Sequence, residues 1–187
     1  WQHREEPPKW SMLTGSCAYT NETKYDRPGA PYGQGNEIFE VMAKQNAEMM
    51  LWLGDNIYLR EPDWSSKSGI EHRYTHFKSL PAIQNFWKSM HHYAIWDDHD
   101  FGRDNSDGTY PYKKEARKVF KENFPDYSFV EEDGGIYYKF SITDVDIFVL
   151  DTRWHRSPMQ NEDGKVKTML GREQLGWLLD GLKESTS

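Results

Sequence analysis

Tyr93-Ala94-Ile95-Trp96-Asp97-Asp98-His99-Asp100 decides how this chain is read. Tyr93-Ala94-Ile95 predicts a short buried strand. Three carboxylates and a histidine leave its end together. Like charges this close repel, and without a counter-charge some must protonate. A hard cation held by oxygen ligands is the simplest counter-charge. A histidine among aspartates is also the usual make-up of an oriented proton donor. The stretch is read as a metal-dependent catalytic loop at a strand end. The plainer reading is an acidic surface turn after a strand.

Outward from this stretch, the chain alternates strands and helices. Upstream, Met49-Met50-Leu51-Trp52-Leu53 is apolar throughout, as in a parallel strand covered on both faces, and ends in Gly54-Asp55-Asn56-Ile57-Tyr58. Helices are predicted over Ile70–Ser79 and Ala82–Met90, separated at Pro81. Further upstream, Ser11–Ala18 reads as a first strand, and Thr20–Gly35, rich in Gly, Pro, Asn and Asp, as a long loop. Asn36 is expected to cap a helix with Glu37 in its first turn, whose apolar face is Ile38, Val41 and Met42. Gly33-Gln34-Gly35 is not a phosphate loop, because neither a Walker lysine nor the G-x-G-x-x-G spacing follows. Residues 1–10 read as a polar linker or tail, and 11–187 as one domain region.

Downstream, Phe101–Tyr110 is predicted as loop. Tyr112, Ala116, Val119 and Phe120 fall at helical spacing. Ile136, Tyr138, Phe140 and Ile142 alternate with polar or exposed positions, as in a half-buried strand. Thr143-Asp144 turns into a second, more buried strand over Val145–Leu150, ending in Asp151-Thr152-Arg153. A last helix carries Leu175, Leu178, Leu179 and Leu182 on one stripe. Such alternation predicts an α/β layered fold, in which ligands gather beyond the carboxyl ends of the strands. Cys17, Asp55, Asp98, His99 and Arg153 all lie at such ends.

Composition bounds the function. The 187 residues carry a formal net charge of −7 and no long basic run, which argues against a duplex nucleic-acid binder. A phosphate substrate stays open, since bound metals reverse the local sign. The apolar runs are too short to span a bilayer, and no signal peptide is visible. The chain opens on Trp1 and is therefore expected to be a processed or trimmed product. Cys17 is the one cysteine, so no intrachain disulfide framework exists.

Taken singly, each candidate has two readings. Asp55 after Gly54 can bridge metals, and the Tyr58 phenolate is a hard ligand suited to a ferric ion. The alternative is a strand-end turn with Tyr58 packed on the surface. Cys17 is either a soft thiolate donor or a small buried hydrophobe. Arg153 either clamps a phosphate oxygen with its planar fork or pairs with Asp151 or another carboxylate. His91, His92 and His155 read as solvated or structural. His72 and His76 share a helix face but have no acidic partner nearby in sequence.

Gly15-Ser16-Cys17, Leu53-Gly54-Asp55-Asn56-Ile57-Tyr58, Ile95 through Gly102, Leu150-Asp151-Thr152-Arg153 and Leu170-Gly171 with Gln174-Leu175 and Trp177-Leu178 fall in one order along the chain. In that order they resemble the alkaline phosphatase D (PhoD-like) family of the calcineurin-like metallophosphatase superfamily. The resemblance implies a layered αββα sandwich, of which this chain holds the N-terminal part. It implies a metal-dependent phosphomonoesterase or phosphodiesterase, extracytoplasmic, acting on a phosphate ester. It implies Fe3+ and Ca2+, with other divalent metals as alternatives. Cys17, Asp55 and Tyr58 match ferric ligands, and Asp98 matches a ligand of the second metal. His99 matches the residue that contacts phosphate and protonates the leaving group, with Asp100 orienting it. Arg153 is a candidate phosphate clamp.

Two departures accompany the likeness. Arg103-Asp104-Asn105 replaces the family's more frequent Pro-Asn-Asp order, and no histidine follows His155. The rest of the ligand set is expected from a remaining C-terminal part of the same protein. Two other functions compete with this one. The first is a metallophosphatase with a different metal pair, acting on a specialised diester such as a phospholipid or cell-wall polymer. The second is a non-catalytic relic of the same fold that binds calcium or a partner.

Overall fold

A computed structural model describes residues 8–125 and 127–186. The linker or tail expected over 1–10 lies mostly outside them. The elements run β1 (Met12–Gly15), α1 (Glu37–Ala43), β2 (Met49–Leu53), α2 (Lys67–Ser79), α3 (Pro81–Trp87), β3 (His91–Ile95), α4 (Asp98–Phe101), α5 (Lys113–Asn123), β4 (Tyr138–Ile142), β5 (Val145–Val149) and α6 (Gly171–Glu184).

The apolar run in β2 makes it the central strand of a parallel sheet ordered β1-β2-β3. Met12 pairs with Met49 and Met49 with His91. Met49 through Trp52 are buried, whereas Leu53 at the carboxyl end is half exposed. A second, antiparallel sheet is the β4–β5 hairpin, with Tyr138 opposite Val149. The two sheets meet at β3. The Tyr93 and Phe140 rings stack at 3.9 Å. The Tyr138 hydroxyl donates to the Ala94 carbonyl (3.0 Å) and accepts from the Ala94 N–H (3.2 Å). One phenol thus satisfies backbone groups on the β3 edge that would otherwise be buried unpaired. The fold is mixed α/β, as expected.

Several elements differ from expectation for physical reasons. β1 ends at Gly15, because Cys17 takes a left-handed conformation with φ of 59°. Asn36 flanks α1 with φ of 63° and makes no side-chain cap bond; the Glu37 carboxylate instead accepts from the Gly35 N–H at 3.1 Å. α1 turns Phe39 inward, packed by Trp52, Phe77 and Phe86, and Met42 packs against the core as expected, while Ile38 and Val41 are exposed. α2 begins earlier than predicted, because the Ser66 hydroxyl accepts from the Gly69 N–H (3.1 Å) and caps it. β5 is the more covered strand of the hairpin, as expected, with Val149 buried and Asp146, Ile147 and Phe148 half-buried, but Val145 at its start is exposed. The leucine stripe of α6 does not face the core. Leu175, Leu179 and Leu182 are exposed, and the helix is held by buried Gln174, by Trp177 against Tyr137 and Phe148, and by Gly181 against the Phe148 ring.

Candidate metal centre at the strand ends

Because β1, β2 and β3 are parallel, the residues just beyond them emerge on one edge: Cys17, Asp55 and Asp98. Gly54 has φ of 99°, and a Cβ there would lie 2.6 Å from the Asp97 Cβ. A glycine is required for β2 to finish against the β3 loop. Asp55 follows with φ of 51°. The Cys17 N–H donates to the Gly54 carbonyl (3.2 Å) and the Ala18 N–H to the Asp55 carbonyl (2.8 Å). The β1–β2 pairing thereby continues into the loops that carry the donors.

Asp55 is the centre of the cluster. Its Oδ2 accepts from the Tyr58 hydroxyl at 3.2 Å and lies 3.7 Å from Cys17 Sγ. Its Oδ1 accepts from the His99 backbone N–H at 3.3 Å. Burial pushes the Asp55 carboxyl up, His99 opposes the shift, and Asp98 adds to it. Burial also pushes the Tyr58 phenol well above its ordinary value, helped by Cys17 and Asp55. Asp98 is buried, and its Oδ2 accepts from the Asn105 N–H at 2.6 Å. The His99 ring lies on the Tyr58 ring, with centroids 4.3 Å apart. Among the described residues, Asp55, Asp98 and His99 bring one ligand atom each within 4.8 Å of one another.

Arg153 reaches the same place from beyond β5. Its Nε donates to Asp97 Oδ1 at 2.5 Å, its Nη2 lies 3.4 Å from Asp98 Oδ1, and its Nη1 donates to the Ser106 carbonyl at 3.2 Å. Asp97 and Asp98, not Asp151, are its carboxylate partners. Asp151 is fully buried and accepts from the Trp96 indole (2.8 Å) and from the backbone N–H groups of Ile136, Arg153 and Trp154.

Asp100, expected to orient His99, does something else. Its carboxylate accepts from the backbone N–H groups of Asn56, Ile57 and Asp97 at 3.0 to 3.2 Å and from the Tyr74 hydroxyl at 3.4 Å. One turn of helix, α4, turns Asp100 back into the protein through a capping box with Asp97, where a loop was predicted. Burial pushes the Asp100 carboxyl up to about 8, with the backbone donors pulling the other way. The His99 imidazole is instead flanked by Asp104, 3.6 Å from Nε2, and by Asp55 and Asp98 within 4.8 Å.

Asp97 and Asp104 thus hold positions in the site that were not expected of them. The D-x-x-D spacing from Asp97 to Asp100 ahead of a helical turn was the available signal for the first. His72 and His76 do have an acidic neighbour: Glu22, from the long loop, lies 3.3 and 3.9 Å from their ring nitrogens. Its nearest cation is Arg73, at 2.7 Å. His155 is held by Glu131 at 2.9 Å.

The donor set suits hard and borderline cations. The Asp55 carboxylate, the Tyr58 phenol oxygen and the Cys17 sulfur gather on one side, and the Asp98 carboxylate with the His99 imidazole on the other. A family model described as PhoD-like phosphatase matches residues 16–187. Alkaline phosphatase D of Bacillus subtilis (strain 168) is 24% identical over 190 residues, covering 80% of this chain and 32% of that protein. A solved structure titled "Structure of PhoD" superposes with a TM-score of 0.68 at 20% identity, over 95% of this chain and 40% of the other. The chain thus spans well under half the length of either, and the second likeness speaks to fold. It belongs to the PhoD-like phosphatase family.

Proposed function

From that membership we propose that the chain carries part of the active site of a metal-dependent phosphoesterase acting on phosphomonoesters or phosphodiesters. The supporting observation is the convergence of Asp55, Asp98 and His99 at the carboxyl edge of a parallel sheet. Cys17, Asp55 and Tyr58 would hold a ferric ion, and Asp98 with Asp55 a second cation such as Ca2+. Bound there, the metals supply charge neutralisation for the phosphate and a lowered pKa for water. The remaining ligands would come from a further part of the same protein, and an extracytoplasmic location accords with the family. Among the described residues no helix is long and apolar enough to cross a membrane.

The chain's own residues divide the work. Arg153 presents a guanidinium to a phosphate oxygen, and Asp97 sets its angle by holding Nε. His99 carries a proton at the imidazole for the departing oxygen. Tyr58 packs under the ring and limits its rotation. Asp100 positions the backbone on which both the Asp55 loop and α4 rest. The Arg153–Asp98 contact favours a second reading, in which the carboxylates are satisfied internally and the protein only binds.

Turnover of p-nitrophenyl phosphate and bis(p-nitrophenyl) phosphate by the intact protein separates the two. With iron and calcium supplied, turnover is expected, and His99→Ala should lower kcat by about 100-fold or more. No hydrolysis with iron, calcium, manganese or zinc would overturn the phosphoesterase reading.

A further inference from the structure

A file of aromatic rings leads from His99 to the surface. His99 lies on Tyr58 with centroids 4.3 Å apart, Tyr58 meets Tyr19 at 4.9 Å, and Tyr19 meets Tyr32 at 5.4 Å. Tyr32 is 67% exposed. At this outer end lies a cavity of about 410 Å³ lined by Tyr19, Tyr25, Asp26, Arg27 and Tyr32. Tyr32 touches Tyr19 edge-on and leaves most of its ring in solvent at the lip of this cavity.

The inner wall is tied together by charge and hydrogen bonds. Arg60 forks onto Asp26, Nε to Oδ1 and Nη2 to Oδ2, both at 2.8 Å. The Tyr19 hydroxyl donates to Asp26 Oδ1 at 2.8 Å, and the Arg60 guanidinium lies over the Tyr19 ring at 4.5 Å. The Asp26 charge is consumed by Arg60, so Arg27 sets the sign at the rim and suits an anionic ester.

Granted the phosphoesterase reading, we infer that the Tyr19–Tyr25–Tyr32 cavity is the leaving-group subsite, and that it selects esters whose alcohol carries a ring with an apolar face. His99 faces the departing oxygen, and the group attached to that oxygen runs outward along Tyr58 and Tyr19 to Tyr32. An aryl group and the C–H face of a sugar ring both offer an apolar surface to tyrosine, the aryl group at offset-stacked or edge geometry.

The test is steady-state kinetics of Tyr32→Ala and Tyr32→Phe in the intact, metal-loaded protein on phenyl phosphate, a hexose 1-phosphate and glycerol phosphate. Loss of one ring contact of about 0.5 to 1.5 kcal/mol corresponds to a KM rise of roughly two- to tenfold. The rise is expected for one or both ring esters, with kcat unchanged, no change for glycerol phosphate, and recovery in Tyr32→Phe. Which ring ester responds identifies the ring. Equal changes on all three esters, or none, would overturn the subsite. If the wild-type protein hydrolyses nothing, the phosphoesterase reading fails, and tyrosine fluorescence then decides the subsite. Tighter binding of phenylphosphonate than methylphosphonate, lost in Tyr32→Ala, supports it, and equal binding of the two overturns it.

Discussion

Two residues govern the strand-end edge more than the donors do. Gly54 is held between β2 and Asp97 with no room for a methyl group, in a backbone conformation that side chains resist. Gly54→Ala should lower stability by about 1–3 kcal/mol from the overlap alone and displace Asp97, and with it Arg153. Chemical denaturation checks the first, and a rise in KM for phosphate esters the second. Asp100 is a backbone hub. Asp100→Ala would strand buried N–H groups of Asn56, Ile57 and Asp97, each costing ~1–3 kcal/mol. The expected result is a protein that unfolds several degrees lower. A variant of normal stability that has lost only turnover would restore the role of orienting His99.

At the scale of elements, the floor of the parallel sheet contains its own titrating group. His92 on β3 stacks on Trp87 with centroids 4.3 Å apart, and its Nδ1 accepts from the Trp52 indole at 3.0 Å. Its Nε2 faces the Phe86 carbonyl at 3.3 Å. This arrangement fits the neutral ring, and a proton at Nδ1 would face the indole N–H. Burial accordingly pushes His92 down to about 4. The folded state therefore binds this proton later than the unfolded chain does. The His92 contribution to stability is fully present above the ordinary histidine range and is lost as pH falls from about 6.5 towards 4. Asp100, whose carboxyl is pushed up, adds the opposite slope to every variant that keeps it, so the His92 contribution is read as a difference: wild-type protein should lose thermal stability relative to His92→Gln as pH falls through that window. The same elements show what the sequence made legible. β2, β3 and the Gly54-Asp55 and Asp97–Asp100 stretches were readable because continuous apolar runs and strand-end charges are local signals. α1 and α6 misled, because apolar spacing does not reveal which face is covered: Phe39 turned inward instead of Ile38, and Gln174 and Trp177 instead of the leucines. Asp100's bonds to the Asn56 and Ile57 N–H groups and Arg153's pairing with Asp97 join residues 43 to 56 apart, which no local pattern carries.

For the whole molecule, the parallel sheet and the β4–β5 hairpin form one frame around the site. β3 contributes Asp98 and His99 at one end and is stitched to β4 through Tyr138 and Phe140. β5 delivers Arg153, and Gln174 of α6 clamps the turn by accepting from the Asp151 N–H and donating to its carbonyl, both at 2.7 Å. The frame brings residues from four separate segments to one edge, where the proposed function would place iron. The most direct measurement is metal content with a visible absorption spectrum, on wild-type protein and on Tyr58→Phe. Bound iron with a charge-transfer band that disappears or shifts strongly in Tyr58→Phe is the predicted result, because a phenolate on ferric iron is coloured. Iron-free protein after loading, or a band indifferent to both Tyr58→Phe and Cys17→Ser, would contradict it.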